Sequence, residues 1–122
     1  MATRQEQIAE VLDGLRKGSP EVIGAALVNN SGFVISAVAP SEVDENLVGG
    51  MAAALLGVAE RILDELMRAK MEQAYIRSEK GYIIVNAVGD TSVLVLLVTR
   101  DAKLGLIFLE VERLVPELLK LL

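Results

Sequence analysis

Histidine, cysteine and tryptophan are all absent from this chain. Without cysteine there is no disulfide framework. Without cysteine or histidine the usual zinc ligands and most nucleophile–base pairs are missing too. Aromatics amount to two Phe and two Tyr, so the core has to be built from Leu, Val, Ile and Ala. Basic residues are outnumbered, 12 Lys and Arg against 17 Asp and Glu, for a net charge of −5. That balance argues against nucleic acid, which demands a basic footprint to displace counterions, and against an anionic membrane surface. The N-terminus, Met1-Ala2-Thr3-Arg4-Gln5-Glu6, shows no apolar signal core. The longest uncharged, mostly apolar run, Leu47 to Ala59, is too short to cross a bilayer. The expected location is cytoplasmic, with no membrane insertion, and the sequon at Asn29-Asn30-Ser31 then reads as a turn.

Catalytic motifs are missing as well. Gly89-Asp90-Thr91-Ser92 lacks the lysine and the following helix of a phosphate-binding loop, so it reads as a hairpin turn. No nucleophile elbow is present, and a triad cannot be built without histidine. Ser–Lys chemistry has no supporting spacing. Glu42, Asp44 and Glu45 cluster at a helix start, where carboxylates cap and favour the macrodipole. Arg100 and Asp101 fit a turn ion pair or a cap for the last helix. The chain is expected to be no enzyme and to need no cofactor or metal.

What is present is regular patterning over one domain, residues 1–122. Ile8, Val11, Leu12 and Leu15 recur at helical spacing up to Gly18. Apolar runs Val22 to Val28 and Phe33 to Val38 flank the turn Asn29-Asn30-Ser31-Gly32. A long helix follows from about Asp44 to Arg68, then strands at Met71 to Ser78, Tyr82 to Val88 and Val93 to Thr99. Their short connections force antiparallel neighbours. A last helix begins near Gly105 and is expected to kink or restart at Pro116. Six consecutive apolar residues, Val93 to Val98, leave neither face of that strand polar, so helices must cover both. The expected architecture is an α/β (α+β) fold of order α-β-β-α-β-β-β-α, a three-layer α/β/α sandwich on an antiparallel five-stranded sheet.

The long helix carries more apolar surface than one sheet can bury. Val48, Met51, Leu55, Val58, Ile62 and Leu66 form one stripe, and Ala52, Leu56, Ala59, Leu63 and Met67 a second beside it. Together they span roughly 200°, against the ~100° or more of a helix facing one core. Either a second copy of the helix covers the excess in a homodimer, or the first or last helix overlaps it on the same sheet face. The opposite side carries Gly50, Ala53, Ala54 and Gly57, turning charged only at Glu60, Arg61, Asp64 and Arg68. Glycine inside a helix costs roughly 0.5–1 kcal/mol against alanine, so two outward glycines point to a close approach by another backbone. That backbone belongs either to the dimer mate or to a partner docked on a flat platform.

The last third, VLVLLVTRDAKLGLIFLEVER from Val93 to Arg113, runs a buried strand through a charged turn into a terminal helix. With the small-residue helix Leu47 to Ala59, it resembles the Roadblock/dynein light chain family over nearly the whole chain. The resemblance implies a dimeric adaptor that regulates a small Ras-like GTPase by holding its switch loops, without a catalytic residue of its own. A scaffold subunit of a motor or membrane-tethering complex is the alternative, and a small-ligand sensor the third. It further implies partner contacts at Gly50, Ala53, Ala54, Gly57, Arg61, Asp64 and Arg68. The dimer interface would include Met51 and Leu55. Gln73, Tyr75 and Arg77 would join it on MEQAYIRS, the most polar strand, which suits an edge that pairs with its two-fold mate or stays solvated.

Overall fold

A computed structural model describes residues 2–122. Helix α1 spans Arg4–Gly18, strand β1 Val22–Asn29, β2 Val34–Val38, helix α2 Glu45–Met67, β3 Gln73–Ser78, β4 Gly81–Val88, β5 Ser92–Thr99 and α3 Leu104–Leu121. The strands form one antiparallel sheet in the order β2-β1-β5-β4-β3. The element order and the sandwich are those the sequence points to.

The central strand explains the layering. Leu94, Leu96 and Val98 of β5 join Ile8, Leu12 and Leu15 of α1 and Ile107, Val111 and Leu118 of α3 in one core. Val93 and Val95 point the other way, into a second core with Ala52 and Leu56 of α2. Helices α1 and α3 therefore share one sheet face, and α2 lies alone on the other. Neither terminal helix overlaps α2, which removes one of the two ways of covering its apolar arc.

Local chemistry sets the boundaries. Thr3 caps α1 by accepting from the Glu6 N–H at 3.1 Å. Asn29 closes the β1–β2 turn, its Oδ1 accepting from Ser31 and Phe33 N–H at 2.9 and 3.0 Å. Phe33 stays in the turn, 64% exposed, so β2 starts one residue later than its apolar run. Asp44 caps α2 through Oδ1, which accepts from Asn46 and Leu47 N–H. Arg68 ends α2 in the left-handed region, φ 53°. Met71 turns into the α2-side core and is 4% exposed, so β3 begins at Gln73.

One expectation is narrowed and another corrected. Helix α3 runs through Pro116 as one element rather than restarting there. Pro116 and Glu112, whose carbonyl loses its N–H partner, are both exposed, so water can take that bond. Arg100 neither pairs with Asp101 nor caps α3; its Nη1 donates to the Glu79 carbonyl at 3.0 Å, tying the β3–β4 turn to the end of β5. Lys103 holds the α3 N-cap position without a side-chain bond.

The two sheet edges differ. At β2 the register shifts between Leu27 and Val28, leaving Ile35 outside the pairing, and the Gln5 Nε2 donates to the Ile35 carbonyl at 2.9 Å. A bulge and a covering helix are how sheets blunt an edge. Strand β3 has neither device.

Candidate interaction surface

Helix α2 presents three sides. Gly49, Ala52 and Leu56 are buried on the sheet, with Val48, Leu55, Ala59 and Leu63 packed around them. On one flank Leu47, Met51, Val58, Ile62 and Leu66 are 57, 56, 59, 52 and 78% exposed, an apolar row with nothing over it. By length and hydropathy alone α2 could cross a membrane, with an 18-residue window of mean hydropathy 1.4. The uncharged run in the sequence covered only part of that helix. Its last turns, however, carry Glu60, Arg61, Asp64 and Glu65, and its inner side is wedged on a sheet.

The other flank holds the small residues. Gly50 and Gly57 have open space where a Cβ would stand, and Ala54 is exposed. Ala53 departs from the expected platform: it is half-buried, close against Gly32 in the β1–β2 turn. Further along, Gly57, Arg61 and Asp64 line a cleft of about 540 Å³ together with Asn30, Lys70, Gly89 and Asp90. Gly50, Ala54 and Arg68 lie outside its lining, and the Arg68 backbone instead closes the helix by donating to the Asp64 carbonyl at 3.1 Å.

Charge in the cleft is mixed and solvated. Lys70 Nζ lies 3.4 Å from Asp90 Oδ1, and Arg61 Nε 3.4 Å from Glu65 Oε1, with all four side chains well exposed. Exposed pairs of this kind contribute ~0.2–1 kcal/mol, so a competing partner charge can replace them. Among the described residues no group of three acidic, His or Cys side chains is placed to hold a metal. No buried side-chain polar atom there lacks a hydrogen-bond partner. Asn30, Lys70 and Asp90 escaped the sequence reading because three separate turns bring them to α2; no local spacing announces it.

The β3 edge is open at its backbone. Ser78 faces Gly81 across a two-residue loop, and the Ala87 N–H donates to the Glu72 carbonyl at 2.8 Å. Even-numbered residues of this strand thus bond inward to β4, and alternation turns the N–H and C=O of Gln73, Tyr75 and Arg77 outward. Their side chains lie on the α3 face, where the Tyr75 ring sits 6.0 Å from that of Phe108. Met51 and Leu55 belong to the α2 face, so the five expected interface residues do not form one side-chain patch. Ile76, 49% exposed on the α2 face, was missed. The Ala74/Ile76 alternation within MEQAYIRS is the signal that marks it. Beside it Ile23, Ile83 and Leu97 line a shallow apolar groove that α2 leaves bare.

This architecture, an antiparallel five-stranded sheet between a helix pair and one long helix, defines the fold class. The chain belongs to the Roadblock/LC7 domain family, whose model matches residues 8–98. An uncharacterised protein of Methanocaldococcus jannaschii is 37% identical over 92 residues, 75% of this chain and 77% of that protein. The gliding protein MglB of Thermus thermophilus superposes with a TM-score of 0.89 at 21% identity, over 99% of this chain and 92% of that one. A solved MglB with a tetrameric arrangement gives 0.90 at 21% identity, covering 99% and 91%.

Proposed function

We propose that this chain is a non-enzymatic homodimer that acts in the cytoplasm, binds a small Ras-like GTPase and modulates its nucleotide cycle. The observation that carries this reading is the two-sided exposure of α2. Its apolar flank, exposed from Leu47 to Leu66, has the character of a permanent interface. Its other flank, small residues running into a polar cleft, has the character of a surface that exchanges partners. Membership of the Roadblock/LC7 family supports the GTPase, and the tetrameric arrangement of an MglB supports self-association.

Such a dimer works by selection. GTPase switch loops exist in ordered and mobile states, and a platform that binds one state better shifts the balance by its differential affinity alone. No residue of this chain then has to enter the reaction. The test is calorimetric titration of this protein with a Ras-like GTPase from the same organism, loaded in turn with GDP and a non-hydrolysable GTP analogue. At least a tenfold preference for one form is expected. Equal affinity for both forms favours a passive scaffold, and no binding contradicts the proposal.

A further inference from the structure

We propose that the β2 edge takes a short, extended, basic segment of a partner protein as a sixth strand, in a slot that Gln5 holds half closed. This site lies at the opposite rim of the sheet from β3 and does not depend on the GTPase reading.

The open backbone groups follow from parity. The Asn30 N–H donates to the Thr91 carbonyl at 3.0 Å, which turns even-numbered residues of β1 towards β5 and odd-numbered ones towards β2. Accordingly the Asn29 N–H bonds the Phe33 carbonyl at 2.9 Å, while Leu27 and Ala25 face Ser36 and Val38. Ser36 and Val38 are thus spent inward, and alternation turns the N–H and C=O of Ala37 away from the sheet. The Ile35 carbonyl points the same way. There the Gln5 Nε2 meets it at 2.9 Å, in the role that a neighbouring strand's N–H would play. One side-chain amide therefore blunts one carbonyl of this edge. Among the described residues nothing comparable covers Ala37.

The surroundings suit a strand. A cleft of about 540 Å³ has Val34 to Ala37 as its floor, Gln5 and Glu6 of α1 on one side, and Glu45 and Asn46 of α2 on the other. A further strand would lie ~4.8 Å beyond β2, between these two helix starts. The charges lining the cleft are carboxylates, Glu6 and Glu45, and neither forms an ion pair among the described residues. Glu42 and Asp44 add the same sign just before α2. Main-chain bonds would supply affinity here, and the walls would select a basic segment over an acidic one. The bulge between Leu27 and Val28 keeps the open stretch short. That disfavours the long edge of a second sheet and suits a peptide.

The test titrates the full chain with the capped peptide acetyl-Lys-Val-Lys-Val-Lys-amide, followed by amide NMR and hydrogen exchange. Binding is expected to shift the Ala37 amide and slow its exchange at least tenfold, leaving the β3 amides unmoved. The same peptide with glutamate for lysine should bind at least tenfold more weakly. Only every second N–H of a strand faces its neighbour, so N-methylation of one alternating set of peptide amides should abolish binding while the other set tolerates it. Gln5→Ala removes the competing amide and should tighten binding roughly twofold or more. Glu6→Gln combined with Glu45→Gln should weaken it roughly tenfold. Binding that leaves Ala37 unmoved, equal affinity for the lysine and glutamate peptides, or no binding at millimolar peptide overturns the proposal. Protection of Ala37 that rises with protein concentration alone would seat a second copy on this edge and overturn it as well.

Discussion

Gly49 of α2 lies directly against the carbonyl of Gly32 in the β1–β2 turn, and a Cβ on Gly49 would collide with that oxygen. The same Cβ would stand 3.0 Å from Val34 Cγ2, so no flexible group is there to yield. Gly32 has φ 86°, which suits glycine, and its own Cβ would meet the Gly49 carbonyl at 3.2 Å. Two glycines thus let the N-terminal half of α2 settle on the turn, and this contact sets the height of the helix above the sheet.

Adjacent glycines should therefore respond with opposite signs. Gly49→Ala is expected to destabilise the fold by about 2 kcal/mol, as overpacking does. Gly50→Ala, with open space around it, should stabilise by about 0.5–1 kcal/mol through helix propensity. Urea midpoints for the two variants check both values. Equal effects would mean that the close approach is relieved by a small shift of α2.

Arg68 closes α2 with φ 53°, a conformation that costs a non-glycine residue about 1 kcal/mol. Arg68→Gly is expected to return about that much stability, seen as a higher thermal midpoint. If partner binding falls while stability rises, the arginine is held there for its charge.

The apolar flank predicts the behaviour of Val58 and Ile62, which are 59 and 52% exposed in one protomer. Val58→Glu or Ile62→Glu should leave the protomer folded, with unchanged circular dichroism. In a dimer packed on this flank either variant buries an unpaired charge, weakening association roughly 100-fold or more. Light scattering after size exclusion should then give a monomer mass at micromolar concentration. A persistent dimer would place the interface away from α2.

Gly57 borders the polar cleft and has room for a side chain. Gly57→Arg should keep the dimer mass and lower GTPase affinity at least tenfold, while improving helix propensity. Loss of the dimer instead would assign this flank to self-association.

Much of this architecture was legible in the chain because burial patterns follow local periodicity. Val93 to Val98 announced a strand covered on both faces, and the overwide arc of α2 announced a helix that its own sheet cannot hide. Asp44 was legible as a cap because capping depends on residues two and three positions on. What stayed hidden depends on distant segments. Nothing local marks Gly49, whose need for glycine comes from the turn at Gly32 lying over it. Asn30, Lys70 and Asp90 reach Gly57 and Arg61 only through the sheet topology. Pro116 resembled a break, yet a solvent-facing position lets the helix absorb it.

GTP turnover tests the central claim most directly. Single-turnover hydrolysis and nucleotide release by the Ras-like GTPases of the same organism are measured alone, with this protein, and with its Gly57→Arg variant. At least a tenfold change in one of the two rates is expected with the unmodified protein, and little change with the variant. Rates unaltered for every such GTPase, at concentrations where this protein is a folded dimer, would contradict the account.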